Sequence, residues 1–126
     1  MKLIKPDNFH EPVGHYSPAV VSNGFVFVSG QLAVDPETGE ATGGTIEEQT
    51  EQCLRNLEHV LIASESGLSH LVKVTIFVSD ESLWGPVNET YRRVLGDHRP
   101  ARAIIPVSDF RRPFLIEVEA IAEIKV

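Results

Sequence analysis

Arg102 stands in the apolar run Pro100-Ala101-Arg102-Ala103-Ile104-Ile105-Pro106-Val107, and a second such run follows, Leu115-Ile116-Glu117-Val118-Glu119-Ala120-Ile121-Ala122. A guanidinium among strand-forming apolar residues needs an anion. Arginine is always charged, its planar fork of donors matches carboxylate geometry, and burying it unpaired would cost several kcal/mol. Two kinds of partner qualify: an internal carboxylate, Glu117 or Glu119, across neighbouring strands, or the carboxylate of a small ligand. On the residues alone the two stand about level, because ion pairs of this kind are often structural. The chemistry open to such a set is anion capture, with a partly desolvated glutamate, its pKa raised, moving a proton nearby.

The remaining reactive side chains do not combine into a site. The five histidines, His10, His15, His59, His70 and His98, show no metal-ligand spacing with one another or with Cys53, whereas a metal needs three or four converging ligands. Ser29 beside Gly30 lacks the G-x-S-x-G pattern, and no His or Asp is placed to complete a triad. Cys53, the lone cysteine, reads as a small buried apolar residue that cannot form an internal disulfide, which suits a reducing compartment. Net charge is −7 with cations scattered apart from Arg92-Arg93 and Arg111-Arg112, a pattern that disfavours nucleic acid. Neither a signal peptide nor a membrane span is expected, and the expected location is cytoplasmic. With 126 residues, 42% of them hydrophobic, the chain suits a single domain, 1–126, with a sizeable core.

The elements that must position Arg102 and the acidic strand follow from local pattern. Ala19-Val20-Val21-Ser22, Asn23-Gly24 and Phe25-Val26-Phe27-Val28-Ser29 predict a hairpin, since Asn-Gly supplies the two positive φ angles of a type I′ turn. Asp35-Pro36-Glu37-Thr38-Gly39 reads as a turn leading through Gly43-Gly44. Thr45 and Glu48 have capping-box spacing, and Ile46, Thr50, Cys53, Leu54, Leu57, Val60 and Leu61 recur at threes and fours, predicting a helix that ends near Gly67. Leu71 to Val78 is β-branched and predicts a strand. A second helix is expected from about Leu83 to Leu95, with Pro86 in its first turn and Gly96 ending it. Its apolar face is Val87, Tyr91, Val94 and Leu95. The Arg102 segment and a run from about Phe114 to Ile124 close the chain, and a short extra strand is possible at residues 2 to 5.

The order β-β-α-β-α-β-β implies an α+β fold, a single mixed β-sheet with both helices on one face, because each helix has only one apolar stripe to bury. In the last strand Ile116, Val118, Ala120, Ala122 and Ile124 alternate as a core face, with Leu115, Glu117, Glu119, Ile121 and Glu123 opposite. The strand before it separates Ala101, Ala103 and Ile105 from Arg102, Ile104 and Pro106. A second face this apolar calls for cover by another subunit in a closed symmetric oligomer.

Gly14-His15-Tyr16-Ser17, Phe27-Val28-Ser29-Gly30-Gln31, Asp35-Pro36-Glu37-Thr38-Gly39, Val87-Asn88-Glu89-Thr90-Tyr91, Pro100-Ala101-Arg102-Ala103 and Ile116-Glu117-Val118-Glu119-Ala120-Ile121-Ala122 together resemble the RidA/YjgF family of reactive-intermediate deaminases, over nearly the whole chain. The resemblance implies a chorismate-mutase-like homotrimer, with sheets lining a central barrel and a ligand cleft at each subunit interface. It implies hydrolysis of small imines and enamines, such as 2-aminoacrylate, to 2-keto acid and ammonia, without metal or organic cofactor. Arg102 matches the arginine that grips the substrate carboxylate and Glu117 the glutamate that positions water; the motif register selects Glu117 over Glu119. Tyr16, Ser29, Gly30 and Asn88 match residues of the cleft.

Two departures stand out. Ile104 occupies a position that is often cysteine in the family, where the ligand contact is expected from the backbone, and Gly96-Asp97-His98-Arg99-Pro100 is shorter than usual, which bears on the pocket rim. The chemistry itself is undemanding. Imines hydrolyse readily in water, so a catalyst has mainly to hold the acid end, orient a water and manage one proton. Three other readings share the residues: a non-catalytic trimer binding small carboxylates or a partner protein, a pathway-specific deaminase of the 2-aminomuconate type, and the ribonuclease activity attributed to some relatives, which the acidic charge disfavours.

Overall fold

The computed structural model describes residues 1–108 and 110–125 of the chain. Six strands form one sheet: β1 (Lys2–Ile4), β2 (Ala19–Ser22), β3 (Phe25–Gln31), β4 (Leu71–Val78), β5 (Ala101–Pro106) and β6 (Ile116–Glu123). Two helices, α1 (Ile46–Ala63) and α2 (Trp84–Leu95), cover one of its faces. The strand order is β1-β2-β3-β6-β4-β5, antiparallel except for the parallel pair β4–β5. β6 is thus inserted between β3 and β4, and β5 is an edge, with Pro100 before it and Pro106 as its last residue.

Local sequence explains the element ends. Asn23 and Gly24 both take positive φ, 52° and 82°, as the hairpin turn requires. The Thr45 hydroxyl accepts from the Glu48 N–H at 3.1 Å while the Thr45 N–H donates to the Glu48 carboxylate at 2.9 Å, closing the capping box of α1. That helix stops at Ala63, short of Gly67. Its last carbonyls are taken by Ser64 and Ser66, and Glu65 between them adopts a left-handed φ of 61°. Gly96, with φ 65°, ends α2. At its start β6 is shorter than its apolar run, because the Leu115 N–H donates to the side chain of Gln49, 2.9 Å away, instead of joining the sheet.

Cross-strand register sorts side chains into rows. Ile4, Ala19, Val28, Ala120 and Val74 form one row on the helix-covered face, and Arg102 is its outermost member. Val118, Ile76 and Ile104 form the next. These rows and the α1 residues Cys53, Leu54, Leu57, Val60 and Leu61 make the core. The helices are joined at their outer surface by Arg93 and Glu51, 2.6 Å apart. The opposite face carries Leu3, Val20, Phe27, Ile121 and Lys73 in one row and Glu117, Phe77 and Ile105 in another. Among the described residues no helix lies on it, and Phe27 and Ile105 remain 44% and 40% exposed.

Candidate functional site

Arg102 sits where a core row runs out. Because β5 is the sheet edge, the row ends beside α2, and the guanidinium carbon lies 4.7 Å from the centre of the Tyr91 ring and 5.7 Å from that of Trp84. Two π-faces attract the cation and fix its direction without neutralising it. Among the described residues no carboxylate pairs with it. A cavity of about 420 Å³ is not its neighbour but a separate one; the space beside Arg102 is about 550 Å³, lined by Asn88, Tyr91, His98, Arg99 and Pro100 among others. The Tyr91 hydroxyl is buried with no hydrogen-bond partner among the described residues, and burial pushes its pKa up to about 12.

Glu117 belongs to the other face of the sheet. Its carboxylate packs over Gly30 so closely that a Cβ there would stand 2.3 Å from a carboxylate oxygen, so any side chain at position 30 would displace the acid. The β3–β6 pairing slips between Val28 and Gln31, and this irregularity brings Gly30 against the acid. Burial raises the Glu117 pKa above the usual carboxylate value, the negative charge of Glu119 raises it further, and the Arg111 cation opposes both. Beside Glu117 lies the cavity of about 420 Å³, with walls that include Leu32, Phe77, Phe110 and Phe114. A smaller one of about 90 Å³ adjoins Tyr16, Gly30 and Gln31. Arg111 and Phe114 line both.

The residues singled out in the sequence therefore fall into two groups. Asn88 and Arg102 share one cavity, while Tyr16, Gly30 and Glu117 gather at the other face. Register rules out the internal ion pair: Arg102 and Glu119, like Arg102 and Glu117, stand on opposite faces of the sheet. Ser29 lines neither cavity; its hydroxyl donates to the Ser17 carbonyl at 2.6 Å, bracing the segment that carries Tyr16. The Ile104 side chain is spent in the core, which leaves its backbone at the sheet edge.

Comparison with known proteins gives this arrangement a context. The family model described as Endoribonuclease L-PSP matches residues 7–124. The chain belongs to the RidA/YjgF family. A RutC family protein of Pyrococcus horikoshii is 38% identical over 96% of this chain and 96% of its own length. The 2-iminobutanoate/2-iminopropanoate deaminase of Rattus norvegicus is 35% identical, covering 96% of this chain and 88% of that protein. Among solved structures, RidA from the Antarctic bacterium Psychrobacter sp. PAMC 21119 superposes with a TM-score of 0.90 at 33% identity, over 98% of this chain and all of that one (100%). The mixed sheet with two helices on one face is thus the architecture of a RidA/YjgF protein.

Sequence reasoning missed four residues of this RidA/YjgF chain. Tyr91 was legible as helix apolar face and as the end of the Val87–Tyr91 motif, but not as a site residue, although it follows Asn88 by one helical turn and lies under Arg102. Trp84, at the start of α2, carried no signal. Arg111 lies in a loop without periodicity. Gln49 carried a signal that was passed over: it falls at threes and fours with Cys53, Asn56 and Val60, a polar residue on an apolar stripe. It is 2% exposed and bonds the Gly44 and Pro113 carbonyls and the Leu115 N–H.

Proposed function

We propose that this chain hydrolyses small reactive 2-imino and enamino acids, such as 2-aminoacrylate, to the 2-keto acid and ammonia. The observation that carries the reading is the guanidinium of Arg102, aimed by two aromatic rings at an open cavity and unmatched by a carboxylate among the described residues. Arg102 and Glu117 lie on opposite faces of one sheet, so a small molecule meets both only where two copies of the chain adjoin. The uncovered apolar face that bears Glu117 supports a closed trimer in which each cleft takes Arg102 from one copy and Glu117 from another.

In that cleft Arg102 holds the substrate carboxylate bidentately, which fixes the imine carbon. Glu117 accepts a proton from water as the water oxygen bonds to that carbon and the C=N electron pair moves to nitrogen. Glu117 returns that proton to nitrogen to give the carbinolamine; its hydroxyl proton then passes through Glu117 to the nitrogen as the C–N bond breaks, which releases ammonia and leaves the carbonyl. An enamine must first gain a proton at its terminal carbon, from Glu117 or a bound water. The raised pKa of Glu117 suits a group that both takes and gives a proton. No described helix is long and apolar enough to cross a membrane, and the buried, unpaired Cys53 supports a reducing cytoplasm. A net charge of −7 counts against a ribonuclease role.

The test generates 2-aminoacrylate in situ and follows keto-acid and ammonia release. Acceleration is expected, and Arg102→Ala should lower kcat/KM by about a hundredfold or more, the worth of a two-pronged charge-assisted contact. Binding of pyruvate without any acceleration would overturn the reading in favour of a non-catalytic carboxylate-binding oligomer.

A further inference from the structure

Among the described residues, Arg111 is the one with a positive charge that borders both the cavity beside Glu117 and the smaller one beside Tyr16 and Gly30. Its guanidinium carbon stands 5.6 Å from the centre of the Phe114 ring, so the cation rests on one aromatic wall of the larger cavity. Leu32, Phe77, Val107 and Phe110 supply apolar walls, and Ser108 adds one neutral polar group. Glu117 is near enough to feel Arg111, but its carboxylate is packed against the Gly30 backbone. At about 420 Å³ the space falls in the range of pockets that hold ligands larger than a three-carbon acid.

From this placement we propose that Arg111 is a specificity-determining residue, which fits the chain to 2-imino acids bearing a second acidic group at the far end of an apolar spacer. The inference rests on the deaminase reading above. If Arg102 of one copy takes the carboxylate next to the imine carbon, the rest of the substrate extends along the Glu117 cavity of its neighbour. Methylenes meet the phenylalanine walls, and the terminal carboxylate meets Arg111. Without that cation a dianion would be repelled, since Glu117 and Glu119 share this face and the chain as a whole is acidic. With it, a monocarboxylate leaves the guanidinium unanswered.

The experiment compares imines formed in situ by an amino-acid oxidase from norleucine and from 2-aminoadipate, which match in chain length and differ in ending in a methyl or a carboxylate. Wild-type protein is expected to favour the aminoadipate imine in kcat/KM by about ten- to a hundredfold, the range of a charge-assisted hydrogen bond. Arg111→Gln should erase most of that ratio and Arg111→Lys restore part of it. Arg111 is exposed, so circular dichroism is expected to show folded variants. A wild-type ratio near one, or a ratio that Arg111→Gln leaves unchanged, would overturn the proposal while the deaminase reading stands. Failure of the wild type to hydrolyse either imine, or 2-aminoacrylate, would bring down both.

Discussion

The Glu117 carboxylate is held where its charge is disfavoured, half-buried, beside Glu119 and against a glycine backbone. A raised folded-state pKa means that the native protein binds this proton more tightly than the unfolded chain does. The group's contribution to stability is therefore fully present below the ordinary glutamate value and lost as pH rises through the folded value. Glu117→Gln should accordingly raise Tm at pH 8 by about 2 °C, a small gain because water screens a half-exposed group. The gain should vanish near pH 4, where the wild-type acid is itself protonated. A thermal melt series across pH checks this, and an equal gain at both ends would contradict it. Stability is sacrificed here at the residue we propose to move the proton.

α1 controls the ground on which that residue stands. Gln49 reaches across from its first turns to hold both Pro113 and Leu115, two residues before Glu117, and Asn56, about two turns further along the same face, holds the Leu32 and Val34 carbonyls behind β3. Gln49→Leu keeps the volume but strands buried backbone groups, which should cost about 2–3 kcal/mol and lower Tm by about 10 °C. Calorimetry reads the loss. Elements of this kind were legible where the signal is local: the Asn23-Gly24 turn, the Thr45 capping box and the Gly96 stop all follow from backbone preferences of a few residues. Alternation along β5 separated Arg102 and Ile104 from Ala103 and Ile105, yet could not say which set faces the helices. That depends on the row Val74–Ala120 beside Arg102, a long-range pairing no local pattern contains. The insertion of β6 between β3 and β4, and the slip that brings Gly30 to Glu117, were hidden for the same reason.

For the molecule as a whole, the division of Arg102 and Glu117 between two faces makes the proposed chemistry depend on a second copy of the chain. If each cleft draws one residue from each of two copies, Arg102→Ala and Glu117→Gln proteins are each inactive, yet mixing them rebuilds intact clefts. Unfolding an equal mixture and refolding it together should restore about a quarter of wild-type activity, the product of two independent halves in a cyclic oligomer. Separate refolding should restore none, and sedimentation checks that the mixed species is a trimer. Activity that stays absent after co-refolding would show both residues serving one chain. The same architecture leaves β5 as an outermost strand beside the bare Arg102 cavity. Bare strand edges invite foreign backbones and fibre growth. Proline rings at positions 100 and 106 remove N–H donors at the two ends of this one, so an intruding strand finds only a short, interrupted ladder and solubility is protected where the fold can least afford a cover.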